Sequence, residues 1–353
     1  MTYEISQLAD LGWNVFFSSQ LNPTDLYTHI PVRVTEVHRG NIRVVGSSLD
    51  RFIQPFNASN DDEESSATVG DWLLLDVETF QPRRLLERIS LIKRPAPGTA
   101  RKLQLIAANV DTLFIVSSCN QDFNIARLER YLALARESDI TPIIVLTKAD
   151  LTDTPEEFAE TAAGLLPDLL VQVLDAREPD SVTCLAGWCT PGKTIAFVGS
   201  SGVGKSTLIN TLLGTDRIRT QSIREEDDKG RHTTSGRTLH RLPAGGWLLD
   251  TPGMRELQLT DVRTGLDEVF TDISSLVRNC RFVDCEHDTE PGCAVKEAVR
   301  SGTLDAARLR NWRKLIAEEA YNTESLTDRR KRNREFGKIV KRAKKDKFLK
   351  HRD

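Results

Sequence analysis

The chain has 353 residues, of which 39% are apolar and 28% charged, with a formal net charge of −3. This is the makeup of a globular protein with length for about two or three domains and a real core. No stretch nears the ~18 uninterrupted apolar residues of a membrane span, and the opening MTYEISQLADLGW lacks a basic region followed by an apolar one. The expectation is a cytoplasmic protein, neither membrane-bound nor secreted, with a monomer as the default.

The small net charge hides an asymmetry. Residues 328–353 carry 13 Lys/Arg against 4 Asp/Glu, so a basic tail of +9 follows a body of −12. Such a tail commonly meets nucleic acid, although a solvated terminus is the plainer reading of a charge run. Six cysteines are too few and too unevenly placed to staple the chain as a disulfide scaffold, and three of them fall within residues 280–293, which points to metal.

In chain order, residues 1–29 read as an N-terminal arm with one amphipathic piece from Leu8 to Phe17 and turn residues at Asn22 and Pro23. Over 30–97 the pattern is short and β-like: PVRVTEV, IRVVG, RFIQPF, DWLLLDVE and LLERISLIKR. Five such strands predict a small closed barrel of OB-fold type, a scaffold that commonly binds nucleic acid. The polar run at 57–66 predicts a mobile loop. A linker at Pro95-Ala96-Pro97-Gly98 leads into 98–270, where strands at Asp111–Val116, Pro142–Leu146, Leu170–Leu174, Thr194–Val198 and Trp247–Leu249 alternate with helices at Ile125–Glu137, Glu156–Leu165 and Ser206–Leu213. That alternation predicts a largely parallel sheet covered by helices. Residues 271–327 turn helical around the cysteine cluster, and 328–353 form the basic tail.

Gly199-Ser200-Ser201-Gly202-Val203-Gly204-Lys205-Ser206, followed by Thr207, matches the phosphate loop G-x-x-x-x-G-K-[ST] in its strand and helix context. Glycines let consecutive N–H groups turn toward phosphate oxygens, Lys205 reaches the β/γ oxygens, and the Ser206 hydroxyl can join a Mg²⁺ shell. Asp250-Thr251-Pro252-Gly253 closes an apolar strand, so that Asp250 can serve Mg²⁺ and the Gly253 N–H can face a γ-phosphate. Between them, Gly230-Arg231-His232-Thr233-Thr234-Ser235 is a polar loop in which Thr233 or Thr234 can reach Mg²⁺ when γ-phosphate is present.

Thr147-Lys148-Ala149-Asp150 follows the strand Ile143–Leu146 and resembles the [NT]-K-x-D guanine motif. A carboxylate at Asp150 can accept from both guanine N1–H and its amine, whereas adenine leaves it unpaired, and Lys148 can lay its stem over the base. This motif stands before the phosphate loop, where GTPases ordinarily carry it after, which implies circular permutation. Cys280-x4-Cys285-x-His287-x5-Cys293 offers three thiolates and one imidazole, a closed set that suits one structural tetrahedral Zn²⁺ per chain. Cys119, Cys184 and Cys189 have no comparable constellation.

The order TKAD, GSSGVGKS, GRHTTS, DTPG and then a metal cluster resembles the circularly permuted ribosome small subunit-dependent GTPase A family, RsgA or YjeQ. The stretches Ala107–Asp111 and Asn124–Leu132 resemble it as well. The resemblance implies a multidomain α/β chain: an N-terminal OB-fold β-barrel, a central circularly permuted P-loop GTPase domain and a C-terminal helical zinc-binding domain. It further implies GTP hydrolysis to GDP with Mg²⁺, stimulated by the small ribosomal subunit and serving its late maturation through rRNA binding. It points to His232 as the catalytic histidine beside Lys205, with Met254 where many GTPases carry a water-orienting Gln. The second base-contacting loop is expected near Asp175-Ala176-Arg177. Two other readings use parts of the same evidence: a nucleic-acid-dependent ATPase, and a zinc-containing RNA-binding module whose nucleotide site is structural.

Overall fold

The computed structural model describes residues 5–58, 62–96, 103–214, 237–250 and 259–323. His232, Thr233, Thr234, Gly253, Met254 and the basic tail lie outside the described residues.

The amphipathic piece expected over Leu8–Phe17 falls on two short helices, α1 (Ile5–Asp10) and α2 (Val15–Ser18). Gly12 breaks it at φ +96°, and the Asn14 side chain starts α2 by accepting from the Phe16 N–H. Nor is the segment a free arm. Leu8, Leu11 and Phe17 are buried in the main core, Trp13 meets Trp72 edge-on at 4.8 Å, and the Trp247 indole donates to the Asp10 carbonyl at 2.9 Å. Its apolar face covers hydrophobic surface that water would otherwise reach.

After α3 (Asp25–Thr28) come β1 (His29–Val37), β2 (Ile42–Val45), β3 (Asp50–Ile53), β4 (Trp72–Asp76) and β5 (Pro82–Leu85). β1 pairs antiparallel with both β2 and β4, β2 carries β3, and β4 carries β5. Their inner faces bury Ile30, Val32, Val34, Ile42, Val44, Leu73 and Leu75. No ladder joins β3 to β5 among the described residues, so closure by hydrogen bonding is not seen; each of these strands is only four residues long.

The strand expected over residues 85–94 divides into β5 and β6 (Leu91–Pro95), and β6 pairs with β7 (Leu103–Ala108) as a separate ribbon. The cause of the break is Arg88. Its guanidinium turns inward to the fully buried Asp71 at 2.7 and 2.8 Å and donates to the Glu64 and Ser66 carbonyls, a fork-to-fork pairing that extended backbone would not reach. The same contacts order one end of the polar 57–66 segment, where Glu63–Ser65 form a 3₁₀ turn capped by Asp62.

The central layer follows as β8 (Thr112–Ser118), α4 (Ile125–Glu137), β9 (Thr141–Thr147), α5 (Pro155–Ala163), β10 (Leu170–Val173), α6 (Pro179–Val182), β11 (Thr194–Val198), α7 (Lys205–Leu213), β12 (Arg237–Arg241) and β13 (Trp247–Asp250). Strands β10-β9-β8-β11-β13 run parallel in that order, and antiparallel β12 joins β13 to β1. Every residue of β8 and β11 is buried, as expected of strands covered on both faces.

Helices α8 (Arg263–Val269), α9 (Thr271–Val277), α10 (Ala294–Arg300) and α11 (residues 306–323) complete the described chain. α8 lies directly on α4 because residue 265 is glycine: a Cβ there would stand 2.0 Å from the Ala133 carbonyl oxygen. α11 docks on the same helix through Glu129, which is buried and accepts from Arg308 at 2.9 Å and Asn311 at 3.1 Å. Burial pushes the Glu129 carboxyl up to about 7, against the pull of Arg308. No helix among the described residues is long and apolar enough to cross a membrane.

Arg33 ties these layers together. It is 1% exposed, and its guanidinium donates to the Leu11 carbonyl at 2.6 Å, the Thr194 hydroxyl at 2.7 Å, the Asn109 carbonyl at 3.3 Å and the Gly70 carbonyl at 3.4 Å. Burial lowers its pKa to about 10 while Asp111 and Asp71 oppose the shift, so it stays charged at neutral pH.

Two predictions follow from this packing. Arg33→Met keeps the volume and removes the donors, leaving buried acceptors unpaired; the expected loss is about 3 kcal/mol, read as a lower urea midpoint, and an unchanged midpoint would show that the cation is dispensable. For Glu129, a folded pKa above the ordinary carboxyl value means that the folded state holds more protons than the unfolded one between that value and about 7. Its stabilising contribution is therefore complete below pH ~4.5 and lost as pH rises through about 7. Glu129→Gln should gain a few degrees in melting temperature relative to the parent on going from pH 5 to pH 8, and a pH-independent difference would refute the shift.

Candidate functional site

The parallel sheet sends the C-terminal ends of β9, β11 and β13 to one edge, the place where open α/β sheets bind ligands. Each end carries one of the motifs read from the sequence. At the end of β11, Gly199 takes φ +143°, and a Cβ on it would lie 2.2 Å from the Val116 carbonyl oxygen. Only glycine lets the loop leave the sheet there. Gly202 and Gly204 also take positive φ, and Gly204 precedes the first residue of α7. Val203 is buried beneath the loop; Ser201 and Gly202 are exposed, with Ser200, Ser206 and Thr207 partly so. The Lys205 ammonium bends back over the loop and donates to the Gly199 carbonyl at 2.7 Å and to the Ser200 carbonyl.

At the end of β9, Thr147 points down, not outward. Its buried hydroxyl is bonded to the Ser117 carbonyl at 3.1 Å and the Val203 carbonyl at 2.6 Å, so it ties the phosphate loop to two strands instead of facing a base. Lys148 adopts a left-handed conformation, φ 56°, and turns the chain so that Asp150 stands at the rim in a 3₁₀ turn, Ala149–Leu151. Asp150 pairs with Arg177 at 2.8 Å, from the segment where a second base-contacting loop is expected. At the end of β13, Asp250 is exposed, with the His240 imidazole 3.7 Å away.

A second site lies between α9 and α10. The ligand atoms of Cys280, Cys285, His287 and Cys293 all fall within 4.8 Å of one another. Cys280 and Cys293 Sγ are 3.9 Å apart, and each lies 3.5 Å from His287 Nδ1. A tetrahedral centre with Zn–S of about 2.3 Å and Zn–N of about 2.0 Å demands S···S near 3.8 Å and S···N near 3.5 Å. The donor set and its spacing therefore fit such an ion. Burial, and next to it Arg313, lowers the His287 pKa and favours the neutral imidazole that binds metal. Although burial alone would raise it, the N–H groups of Val295 and Ala294 bring the Cys280 thiol below its ordinary value. Arg313 of α11 donates to the His287 carbonyl, and the Glu290 carboxylate collects the N–H groups of Glu286, Asp288 and Thr289 at 2.9, 2.9 and 3.0 Å, which shapes the loop between the ligands.

A family model described as RsgA GTPase matches residues 85–260. A protein of Vibrio parahaemolyticus named "Small ribosomal subunit biogenesis GTPase RsgA 2" is 46% identical over 340 residues, covering 96% of this chain and 93% of its own. "Small ribosomal subunit biogenesis GTPase RsgA" of Mesorhizobium japonicum is 48% identical over 328 residues, covering 92% and 93%. The chain belongs to the RsgA GTPase family. The crystal structure of YloQ, described as a circularly permuted GTPase, superposes with a TM-score of 0.55 at 25% identity over 83% of this chain and 95% of that one. YjeQ from Thermotoga maritima gives 0.58 at 24% identity over 82% and 98%, a likeness of fold. The mixed α/β fold is thus that of circularly permuted GTPases: this chain enters the parallel part of the sheet at β8, runs outward through β9 and β10, and only then crosses to β11 and the phosphate loop.

Of the residues singled out in sequence, the structure brings Thr147, Lys148, Asp150, Gly199 through Thr207 and Asp250 to one edge and gathers Cys280, Cys285, His287 and Cys293 at another point. What pattern reading missed is the direction of Thr147 and the engagement of Arg177. Thr147→Val should leave the Val203 carbonyl unpaired beneath the loop and weaken GDP binding about five- to tenfold, measured by calorimetry; an unchanged affinity would show that the hydroxyl does not position the loop.

Proposed function

We propose that this chain hydrolyses GTP to GDP and phosphate in a cycle stimulated by the small ribosomal subunit, during late maturation of that subunit. The observation that carries the reading is the meeting of TKAD, the phosphate loop and Asp250 on one sheet edge in permuted order. The names of the relatives, small ribosomal subunit biogenesis GTPases, supply the partner.

In this reading Asp150 accepts from the guanine edge and Lys148 covers the base, while the N–H groups of 199–207 cradle the phosphates. Lys205 exchanges its two loop carbonyls for β/γ oxygens and carries positive charge where the transition state gathers negative charge. Mg²⁺, when bound with GTP, neutralises phosphate charge; Ser206, Asp250 and Thr233 or Thr234 are the residues that would hold it. His232 orients the attacking water, and Gly253 contacts the γ-phosphate. Cys280, Cys285, His287 and Cys293 hold one structural Zn²⁺, which with four protein ligands supplies folding free energy and no open position for chemistry.

The proposed layout has an arm at 1–29, an OB-fold RNA-binding domain at 30–97, the permuted GTPase domain at 98–270, a zinc-binding domain at 271–327 and a basic tail at 328–353. The pairing of β1 with both β2 and β4 supports the OB reading. Barrel and tail together would grip rRNA, with salt-dependent affinity, in a cytoplasmic monomer.

The test is phosphate release from GTP and from ATP, alone and with purified small or large ribosomal subunits. Turnover should be selective for GTP and rise only with small subunits, and His232→Ala should lower the stimulated rate about 100-fold while GTP affinity holds. Equal use of ATP would favour a nucleic-acid-dependent ATPase, and absence of turnover under every condition would favour an RNA-binding module with a structural nucleotide.

A further inference from the structure

The carboxylate assigned to guanine is already engaged in the structure. Asp150 Oδ2 accepts from Arg177 Nη2 at 2.8 Å. The Nε/Nη2 fork of the same guanidinium lies on Asp175, Nε to Oδ1 at 3.0 Å and Nη2 to Oδ2 at 2.7 Å, so that Nη2 is shared between the two carboxylates. This is not a long surface chain lying where it happens to fall, because the loop beneath it is fastened. Ala176 is buried and its carbonyl accepts from Thr211 of α7 at 2.8 Å, while the Asp175 N–H donates to the Ser181 hydroxyl at 3.0 Å. The helix that follows the phosphate loop therefore positions the arginine facing the base-reading turn.

Guanine presents N1–H and an exocyclic amine on adjacent atoms, an H–N–C–N–H edge. Arg177 sets one such donor, Nη2, on Asp150 Oδ2. Guanine, which takes both oxygens of the carboxylate, has to contend with it for that oxygen. We propose that Arg177 is a built-in competitor for guanine: its contact with Asp150 Oδ2 must open for the base to enter, while Asp175, which holds the Nε/Nη2 fork, keeps hold of it. The inference rests on the reading of Asp150 as the guanine acceptor.

The consequence is a tax on binding. Apparent affinity falls by the fraction of molecules in which Asp150 is open, and the cost falls on association, since release precedes entry. The side chain of Arg177 is 64% exposed and that of Asp150 36%, so the pair is modest and easily screened. The expected tax is about two- to fivefold at low ionic strength.

Stopped-flow binding of a fluorescent GDP to the full chain tests it. Arg177→Ala and Arg177→Gln should both raise the association rate about two- to fivefold, leave dissociation unchanged, and lose that advantage in about 0.5 M NaCl, where the parent's ion pair is screened. A merely structural arginine would not give a salt-dependent gap confined to association. Unchanged or slower association, or faster dissociation, in both variants overturns the proposal. Asp150→Asn, assayed with xanthosine diphosphate against GDP, separates the premise from the inference: transfer of preference to xanthosine supports the guanine reading, and its absence in a folded variant overturns that reading and the competitor with it.

Discussion

A single buried cation holds the layers of this molecule in register. Arg33 projects from β1 into a space bounded by the N-terminal helices, the β4 approach and the first residue of β11, and it spends its donors on a carbonyl or hydroxyl from each. Without a direct carboxylate partner it depends on that ring of oxygens and on the more distant Asp111 and Asp71 to remain charged in the interior. The arrangement is demanding in geometry. The N-terminal turn must stop at Leu11, Gly70 must present its carbonyl inward, and Thr194 must stand at the base of the strand that leads to the phosphate loop. A buried guanidinium is costly to desolvate, so it tolerates only a placement of these segments that satisfies its donors.

That placement explains which parts of the fold could be read from the chain. The buried runs at Leu113–Val116 and Ile195–Val198 and the helix at Ile125–Glu137 stand out because burial on both faces, or on one helical stripe, leaves a local pattern. β12 does not stand out, since the strand that joins the parallel and antiparallel parts of the sheet owes its existence to β1, far away in sequence. The division of the 85–94 stretch is of the same kind. Nothing local to Leu85–Arg94 says that Arg88 must turn inward; the reason is the buried Asp71, seventeen residues earlier.

The candidate site was legible to a greater degree, because phosphate loops and metal knuckles are local devices whose residue types are dictated by what they hold. Glycine at 199 is required by the Val116 carbonyl, and the Cys/His spacing closes on one point. Orientation was not legible. Thr147 turns beneath the loop, and Arg177 crosses from a different connection to reach Asp150. Both facts depend on which strands are neighbours in the sheet. Residue types at a motif therefore report the chemistry, while the direction of each side chain is set by tertiary neighbours that no spacing rule includes.

Permutation changes what the sheet edge is joined to. In this chain β13 ends at Asp250 and the described chain resumes at Leu259, which is buried against α11: its carbonyl accepts from Asn322 at 2.7 Å, and the Asp261 N–H donates to Thr323 at 3.0 Å. The same helix holds Glu129 of α4 through Arg308 and Asn311, and the His287 carbonyl through Arg313. One helix thus touches the segment at residues 259–261, helix α4 on the flank of the sheet and the backbone of the Cys/His cluster. An unpermuted order would spend the exit of this strand on another βα unit. Here the described chain resumes at Leu259 packed on α11, the helix that also holds the His287 carbonyl of the Cys/His cluster, so that the residues that follow β13 in the described chain belong to the C-terminal layer.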